Sequence, residues 1–377
     1  MKPTRGGGIR RAVLIVLVNV LVLLIVEGVA SLITVGRIAI DRMRTLAEHV
    51  HTRYDAELGW VNMPNVFVPD MYGPGRFFRT NAQGFRNADP VTTTVPAGRV
   101  RVVCSGDSFT LGYGVSNDQA WCNHLAAIDP RLEPVNMGQG GYGLDQTYLW
   151  YRRDGVTLDQ DLQILAFITV DFARMRSASF LGYPKPVLAL AQGELAVHGV
   201  PVPYRSEFGA KRSELVRTLA SFRTVQVLRS LIPSRPPPVA DAASDTPPAD
   251  PLRPIVARLF ATLRDVHQAH GSRLVLVYLP MRTDYDDEAS DGWRRFVRET
   301  ADRDRIACID LVDDLRSVPR REIDAYFIQP GETPYGHAEG HYTARGNDFI
   351  ARVLYQKLGG PDAVATKFAA LPTGLGR

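Results

Sequence analysis

Apolar residues run almost unbroken from Ala12 to Val35, with Asn19 and Glu27 as the polar exceptions. At about 1.5 Å per residue, a helix of that length crosses a hydrocarbon core of roughly 30 Å. Beyond it, RIAIDRMRTLAEHVHTRYDAELG (37–59) continues the helical pattern. Residues 60–98, rich in Pro, Gly, Asn and aromatics, show no clear period and read as an irregular collar. From Arg99 the pattern changes. Five short apolar runs rich in β-branched residues (RVRVVCSG, PVNMG, LQILAFITV, SRLVLVYLP and RIACIDL) have the character of buried parallel strands. Helical stretches separate them: DQAWCNHLAAI, PIVARLFATLRDVHQAHG with its glycine stop, and DGWRRFVRETADRD. The alternation predicts an α/β fold, a three-layer sandwich about a five-stranded, mainly parallel sheet with right-handed crossovers.

Two interruptions break this alternation. Within 178–234, PVLALAQGELAVHGVPVP places alternating apolar residues on either side of a Gln-Gly-Glu turn, which predicts a β-hairpin, and the helical RSELVRTLASFRTVQVLRSLI follows. Residues 235–253 form a Pro/Ala/Asp tract too poor in apolar side chains to pack, hence a loop. The expected organisation is a tip and anchor (1–36), a juxtamembrane helix and collar (37–98), an α/β domain (99–358) carrying the insertion, and a tail (359–377).

With 45% hydrophobic and 22% charged residues, the chain is not a disordered one. Its net charge of +4 comes from 44 basic and 40 acidic residues, and the first eleven residues hold Lys2, Arg5, Arg10 and Arg11 without an acid. The remainder is balanced, with no clustered basic surface, so nucleic acid is not an expected partner. A basic tip ahead of the apolar run keeps the N-terminus cytoplasmic and sends the rest outside, although Arg37, Arg42 and Arg44 weaken the bias. The expectation is a single-pass membrane protein, tethered through residues 12–35, with its main domain in the periplasm or at the cell surface. A cleaved signal peptide is the alternative, because Ala12–Val26 followed by Gly28-Val29-Ala30 also fits one. Glu27 either marks a partner helix or reaches the outer interface. Export permits disulfides, yet Cys104, Cys122 and Cys308 encode no disulfide framework. Cys104 and Cys308 lie in apolar runs and read as small buried hydrophobes.

The first apolar strand ends in Cys104-Ser105-Gly106-Asp107-Ser108-Phe109-Thr110. Ligands of open α/β sheets bind beyond the carboxyl ends of strands, which makes Ser108 the candidate nucleophile, its amide N–H facing developing negative charge. A capping role for Asp107 or Ser108 is the plainer alternative. After the second strand, Asn136-Met137-Gly138-Gln139-Gly140-Gly141-Tyr142-Gly143 lets backbone approach a ligand closely. Near the C-terminus, Tyr335-Gly336-His337-Ala338-Glu339-Gly340-His341 offers two imidazoles, but no third ligand at useful spacing, so no metal and no cofactor is expected.

The string GDSFTLGYGV after a strand resembles the first signature block of the SGNH/GDSL hydrolase superfamily, and Gly59-Trp60 with Gly84-Phe85-Arg86 resembles its membrane-anchored bacterial members. The likeness spans about residues 55–358 and implies the flavodoxin-like sheet of that fold. It implies Ser108 as nucleophile, Asp107 as the adjoining acid, Gly141 as the oxyanion glycine with Gly140 one register away, and His341 as the base. Two positions depart from the pattern. Where relatives carry an Asn that donates to the oxyanion, this chain has Val170, while Asp171 and Arg174 stay near the strand end, where either could instead form an ion pair on the rim of the cleft. Where they carry an Asp three residues before the His, it has Ala338, leaving Glu339 as the candidate acid that orients His341, with His337 as the rival base. The implied activity is a Ser/His/acid esterase acting on O-acyl esters of envelope lipid or carbohydrate. An O-acyltransferase modifying an exported polysaccharide and a non-catalytic binding component of the same fold are the alternatives. Beyond the partner helix that Glu27 could mark, the sequence identifies no protein partner.

Overall fold

A computed structural model describes Arg11 and residues 13–28, 48–204, 250–369 and 371. Two compact units divide the chain, one of 1–46 and 206–248, the other of 47–205 and 249–377. In the first unit the described residues are helical. Asn19 there donates its side-chain amide to the Ile15 carbonyl at 2.8 Å, so the helix itself satisfies one polar exception of the apolar run. Among the described residues no helix is long and apolar enough to cross a membrane. Ala12 and residues 29–35 of the expected span, the helix expected within 205–232 and most of the Pro-rich tract lie outside the described residues.

The second unit opens on a helical turn, Glu48–His51, and then departs from expectation. Helix continuing through residue 59 is replaced by an antiparallel pair, β1 (Thr52–Asp55) with β2 (Gly59–Asn62). The turn between them is built by Asp55, whose Oδ1 accepts from the amides of Glu57 and Leu58, both at 2.9 Å. Gly59 ends it at φ +87°, against the Pro184 carbonyl where a Cβ would collide. A shorter pair, β3 (Phe67–Val68) with β4 (Phe78–Arg79), completes the collar.

The central strands are β5 (Val100–Gly106), β6 (Leu132–Gly138) and β7 (Leu162–Phe167), followed after the insertion by two more. Helices α1 (Ser108–Leu111), α2 (Trp121–Ile128), α3 (Leu144–Trp150) and α4 (Thr169–Arg174) lie among them. The insertion contributes β8 (Ser179–Phe180) with β9 (Tyr183–Pro184), and the expected hairpin, β10 (Val187–Ala191) with β11 (Glu194–His198). Gln192 and Gly193 turn that hairpin at positive φ. Then come α5 (Leu252–His270), β12 (Arg273–Tyr278), α6 (Asp291–Asp304), β13 (Ala307–Asp310) and α7 (Ala344–Lys357). Helix therefore begins two residues inside the expected 235–253 loop.

The sheet order is β13-β12-β7-β5-β6, every pairing parallel. Counted along the sheet this is the 2-1-3-4-5 order of flavodoxin-like folds, with the reversal of winding between β5 and β7. Alternate residues feed two apolar layers. Val103, Val135, Leu165 and Leu276 face α5 and α6, while Val102, Cys104, Ile164 and Val277 face α2 and α7. Burial on both faces explains why the strands read as continuous apolar runs rather than alternating ones.

The cysteines correct the sequence expectation. Cys104 and Cys122 form a disulfide, with Cα atoms 6.2 Å apart, and Cys308 alone is free. The reason is spatial: α2 crosses the same face of the sheet on which Cys104 points, so two residues that look like core hydrophobes meet at bridging distance.

Candidate active site

Strand β5 delivers Asp107 and Ser108 at its carboxyl end, beside the reversal point. Asp107 is fully buried and N-caps α1, its Oδ1 accepting the Phe109 amide at 2.9 Å. The capping role weighed for this segment is thus real, and it places Ser108 at the first helical position rather than competing with it. Helix α1 lasts one turn, stopped at Gly112. Its last carbonyls are held by Arg86 of the collar, a fully buried guanidinium. Nη1 donates to Leu111 and Gly112, Nη2 to Val115 (each 2.5 Å), and Nε to the Asn117 side chain at 3.1 Å.

His341 arrives from the chain ahead of α7. Two bonds pin its loop: Gly340 donates to the Ile328 carbonyl, and Ile328 donates to the carbonyl of His341. The imidazole packs against Phe109, with centroids 4.4 Å apart, and against Tyr113 at 5.3 Å. Its Nε2 lies 2.7 Å from Ser108 Oγ, a pairing across 233 positions of sequence. Nδ1 lies 3.2 Å from the Ala338 carbonyl oxygen. A carbonyl only accepts, so it fixes the proton on Nδ1 and leaves Nε2 free to accept from the Ser108 hydroxyl. Burial pulls the imidazolium down to about 4, against the opposing charge of Asp107 and the Ala338 carbonyl. His341 is therefore neutral at neutral pH.

Glu339 does not orient His341, which corrects the sequence expectation. It is exposed, and its Oε1 accepts from the amide of Gly331 at 3.1 Å. The cause is local: Gly336–Ala338 forms a 3₁₀ turn that brings the carbonyl of Ala338, rather than a carboxylate, to the ring. His337 is exposed as well and packs its ring on Tyr335. Of the two candidate bases, the structure brings His341 to Ser108.

The glycine-rich turn follows β6. Gly141 has φ +75°, and a Cβ on it would lie 2.5 Å from the Phe180 ring. Beside it, Gly140 abuts the Tyr113 hydroxyl. The collar holds this turn by its carbonyls, Trp60 Nε1 donating to Gly140 at 2.9 Å and Asn62 Nδ2 to Gly138 at 3.2 Å. Trp60 also stacks on Phe180.

The third turn corrects the end of the expected strand LQILAFITV. Strand β7 stops at Phe167, and Thr169 opens α4, because the Asp171 carboxylate accepts the Ile168 amide at 3.0 Å and starts a helix there. Val170 sits in the first turn of α4, 39% exposed, with no side-chain donor to offer. Asp171 is buried, and burial together with the nearby Asp107 charge raises it well above the usual carboxylate range, despite Arg174. Arg174 Nη1 bonds Asp171 Oδ1 at 2.7 Å, the Tyr142 carbonyl at 2.9 Å and Asp107 Oδ2 at 3.1 Å.

Sequence reading placed Arg174 at most in an ion pair at a cleft rim and did not single out Asn62, Phe109 or Tyr113. The i,i+3 spacing of Asp171 and Arg174 was a signal for their pairing. Nothing local signalled the partnership with Asp107. Among the described residues no group of three or more His, Cys, Asp or Glu is placed to hold a metal ion.

No family model matches the chain, and no curated protein does. Among solved structures it is similar to a member of the lipolytic protein G-D-S-L family from Veillonella parvula DSM 2008, at 13% identity over 68% of this chain and 97% of that one, with a TM-score of 0.37. It is similar also to a G-D-S-L family protein from Desulfitobacterium hafniense DCB-2, described as a putative lipolytic protein (13%, 68% and 99%, TM-score 0.37). A lipase/acylhydrolase from Enterococcus faecalis stands at 12%, 69% and 95%, with a TM-score of 0.36. The chemistry of the site is carried by its own residues.

Proposed function

We propose that this chain is a membrane-tethered, extracytoplasmic serine esterase acting on O-acyl esters of envelope lipid or carbohydrate. The observation that carries the reading is the 2.7 Å approach of His341 Nε2 to Ser108 Oγ at the carboxyl end of the sheet. The neutral imidazole takes the hydroxyl proton as Ser108 Oγ bonds to the ester carbonyl carbon. The amides of Ser108 and Gly141 hold the resulting oxyanion. The imidazolium, its Nδ1–H on the Ala338 carbonyl, returns the proton to the leaving alcohol as the C–O bond breaks. Water activated by the same nitrogen then releases the acid and restores Ser108. No acid is needed to set the tautomer, since the carbonyl does so.

Two features support the location: the basic tip ahead of an apolar run, and a Cys104–Cys122 bond of the kind that persists in oxidising compartments. The test is hydrolysis of p-nitrophenyl acetate by the full chain in detergent, beside its Ser108→Ala variant. Equal rates would leave a binding module of the same fold. Acyl groups appearing on an added polysaccharide rather than in water would make the protein a transferase.

A further inference from the structure

Two carboxylates with little or no exposure, Asp107 and Asp171, share one guanidinium beside the nucleophile. Asp107 Oδ2 lies 3.5 Å from Ser108 Oγ and 3.1 Å from Arg174 Nη1. The same Nη1 holds the Tyr142 carbonyl, next to Gly141, and Asp171 at the start of α4. One nitrogen thus ties the nucleophile turn, the glycine turn and the turn after β7. Its stem lies against Cβ space at Gly143, and its guanidinium carbon sits 5.2 Å over the Phe180 ring.

We propose that Arg174 is a positioning residue of the acyl-transfer site, setting the three turns around Ser108 in register and cancelling the Asp107 charge where negative charge develops. This rests on the esterase reading above. Asp107 cannot be dispensed with, since its Oδ1 caps the helix that Ser108 begins. Yet an uncompensated carboxylate 3.5 Å from the nucleophile opposes a second negative charge on the tetrahedral intermediate. Arg174 resolves the conflict by pairing with the other oxygen of the same group. Val170 removes the neutral donor expected in this turn, and Arg174, one helical turn further on, is the cation that the turn brings to the site instead.

The experiment uses the full chain in detergent with p-nitrophenyl acetate. Arg174→Met keeps an apolar stem on Phe180 and removes both charge and clamp. Its kcat should fall on the order of 10²-fold, the scale of a small displacement of reacting groups, while KM stays within about threefold. Adding Asp107→Asn, which retains a capping oxygen, should return at least about tenfold of that loss, because the charge needing compensation is gone. A merely structural clamp predicts no such recovery. Arg174→Lys, which keeps the charge, serves as the second variant should Arg174→Met not fold, and is expected to retain more activity than any neutral residue there. An unchanged kcat in Arg174→Met, no recovery in the double variant, or equal losses in the Lys and neutral variants would each overturn the proposal. Absence of Ser108-dependent hydrolysis in the unaltered chain would instead overturn the esterase reading, so the two failures are told apart.

Discussion

His341 turns Nδ1 to the carbonyl oxygen of Ala338, 3.2 Å away, and among the described residues no carboxylate side chain takes that place. The contact orients the ring without a buried anion, at the expense of the added stabilisation a carboxylate would give the imidazolium. Glu339→Gln should therefore leave turnover within about threefold, as for a surface change that touches no reacting group. His341→Ala should lower it by roughly 10²–10⁴, the usual worth of a general base. Steady-state kinetics on the two variants decide the matter, and a large loss in Glu339→Gln would return the acid role to that residue.

On the esterase reading, the low affinity of this imidazole for protons should set the acid limb of activity. Burial holds His341 near 4, so kcat/KM should stay flat as pH falls through 6 and drop only around 4. Stability follows with the same sign. Both His341 and the buried His267, the latter near 3, are neutral when folded, and their unfolded forms bind protons near 6.5. Their contribution is present above that value and is lost progressively as pH falls through 4 and then 3. A pH–rate profile and urea midpoints from pH 7 to 4 test both statements. An acid limb near 6.5 would contradict the first.

Val170 has no side-chain donor at the position where the resemblance to SGNH/GDSL hydrolases implies an Asn directed at the proposed oxyanion. Val170→Asn should raise kcat by about tenfold to hundredfold, since losing such a donor costs about 10²–10³. The side chain is 39% exposed, so the change should move the melting temperature little. An unchanged rate would show that another group already fills the position.

The Cys104–Cys122 bond ties β5 to α2 across 18 positions. Replacing both residues by Ala should cost about 2–4 kcal/mol, the range for a loop of this size. Urea unfolding of the variant beside the oxidised protein gives the number. Both side chains are fully buried, so reductant should act on the unfolded chain far faster than on the native one.

Much of this architecture was legible because the five sheet strands are buried on both faces and therefore read as uninterrupted apolar runs. The hairpin at 187–198 was legible for the opposite reason, its half-exposed strands alternating about a Gln-Gly turn. Ser108 and His341, which the fold brings together, drew attention in the sequence because each sits in a string that resembles a block of one family. What escaped were relations made only in space. The partner of Cys104 lies on a helix, that of Arg174 lies 67 positions upstream, and the partner of His341 is a main-chain atom with no residue identity to read. The helix expected through residue 59 failed because Asp55 and Gly59 form a turn that propensity alone does not weigh against helical periodicity.

Trp60, Asn62 and Arg86, none of them in the five-stranded sheet, grip the carbonyls of the two turns on which the proposed chemistry depends. A shortened form starting at the first sheet strand would strip away the braces behind both Ser108 and Gly141. On the esterase reading, a minimal active fragment has to retain the β1–β2 pair and Arg86, and so to begin no later than Thr52.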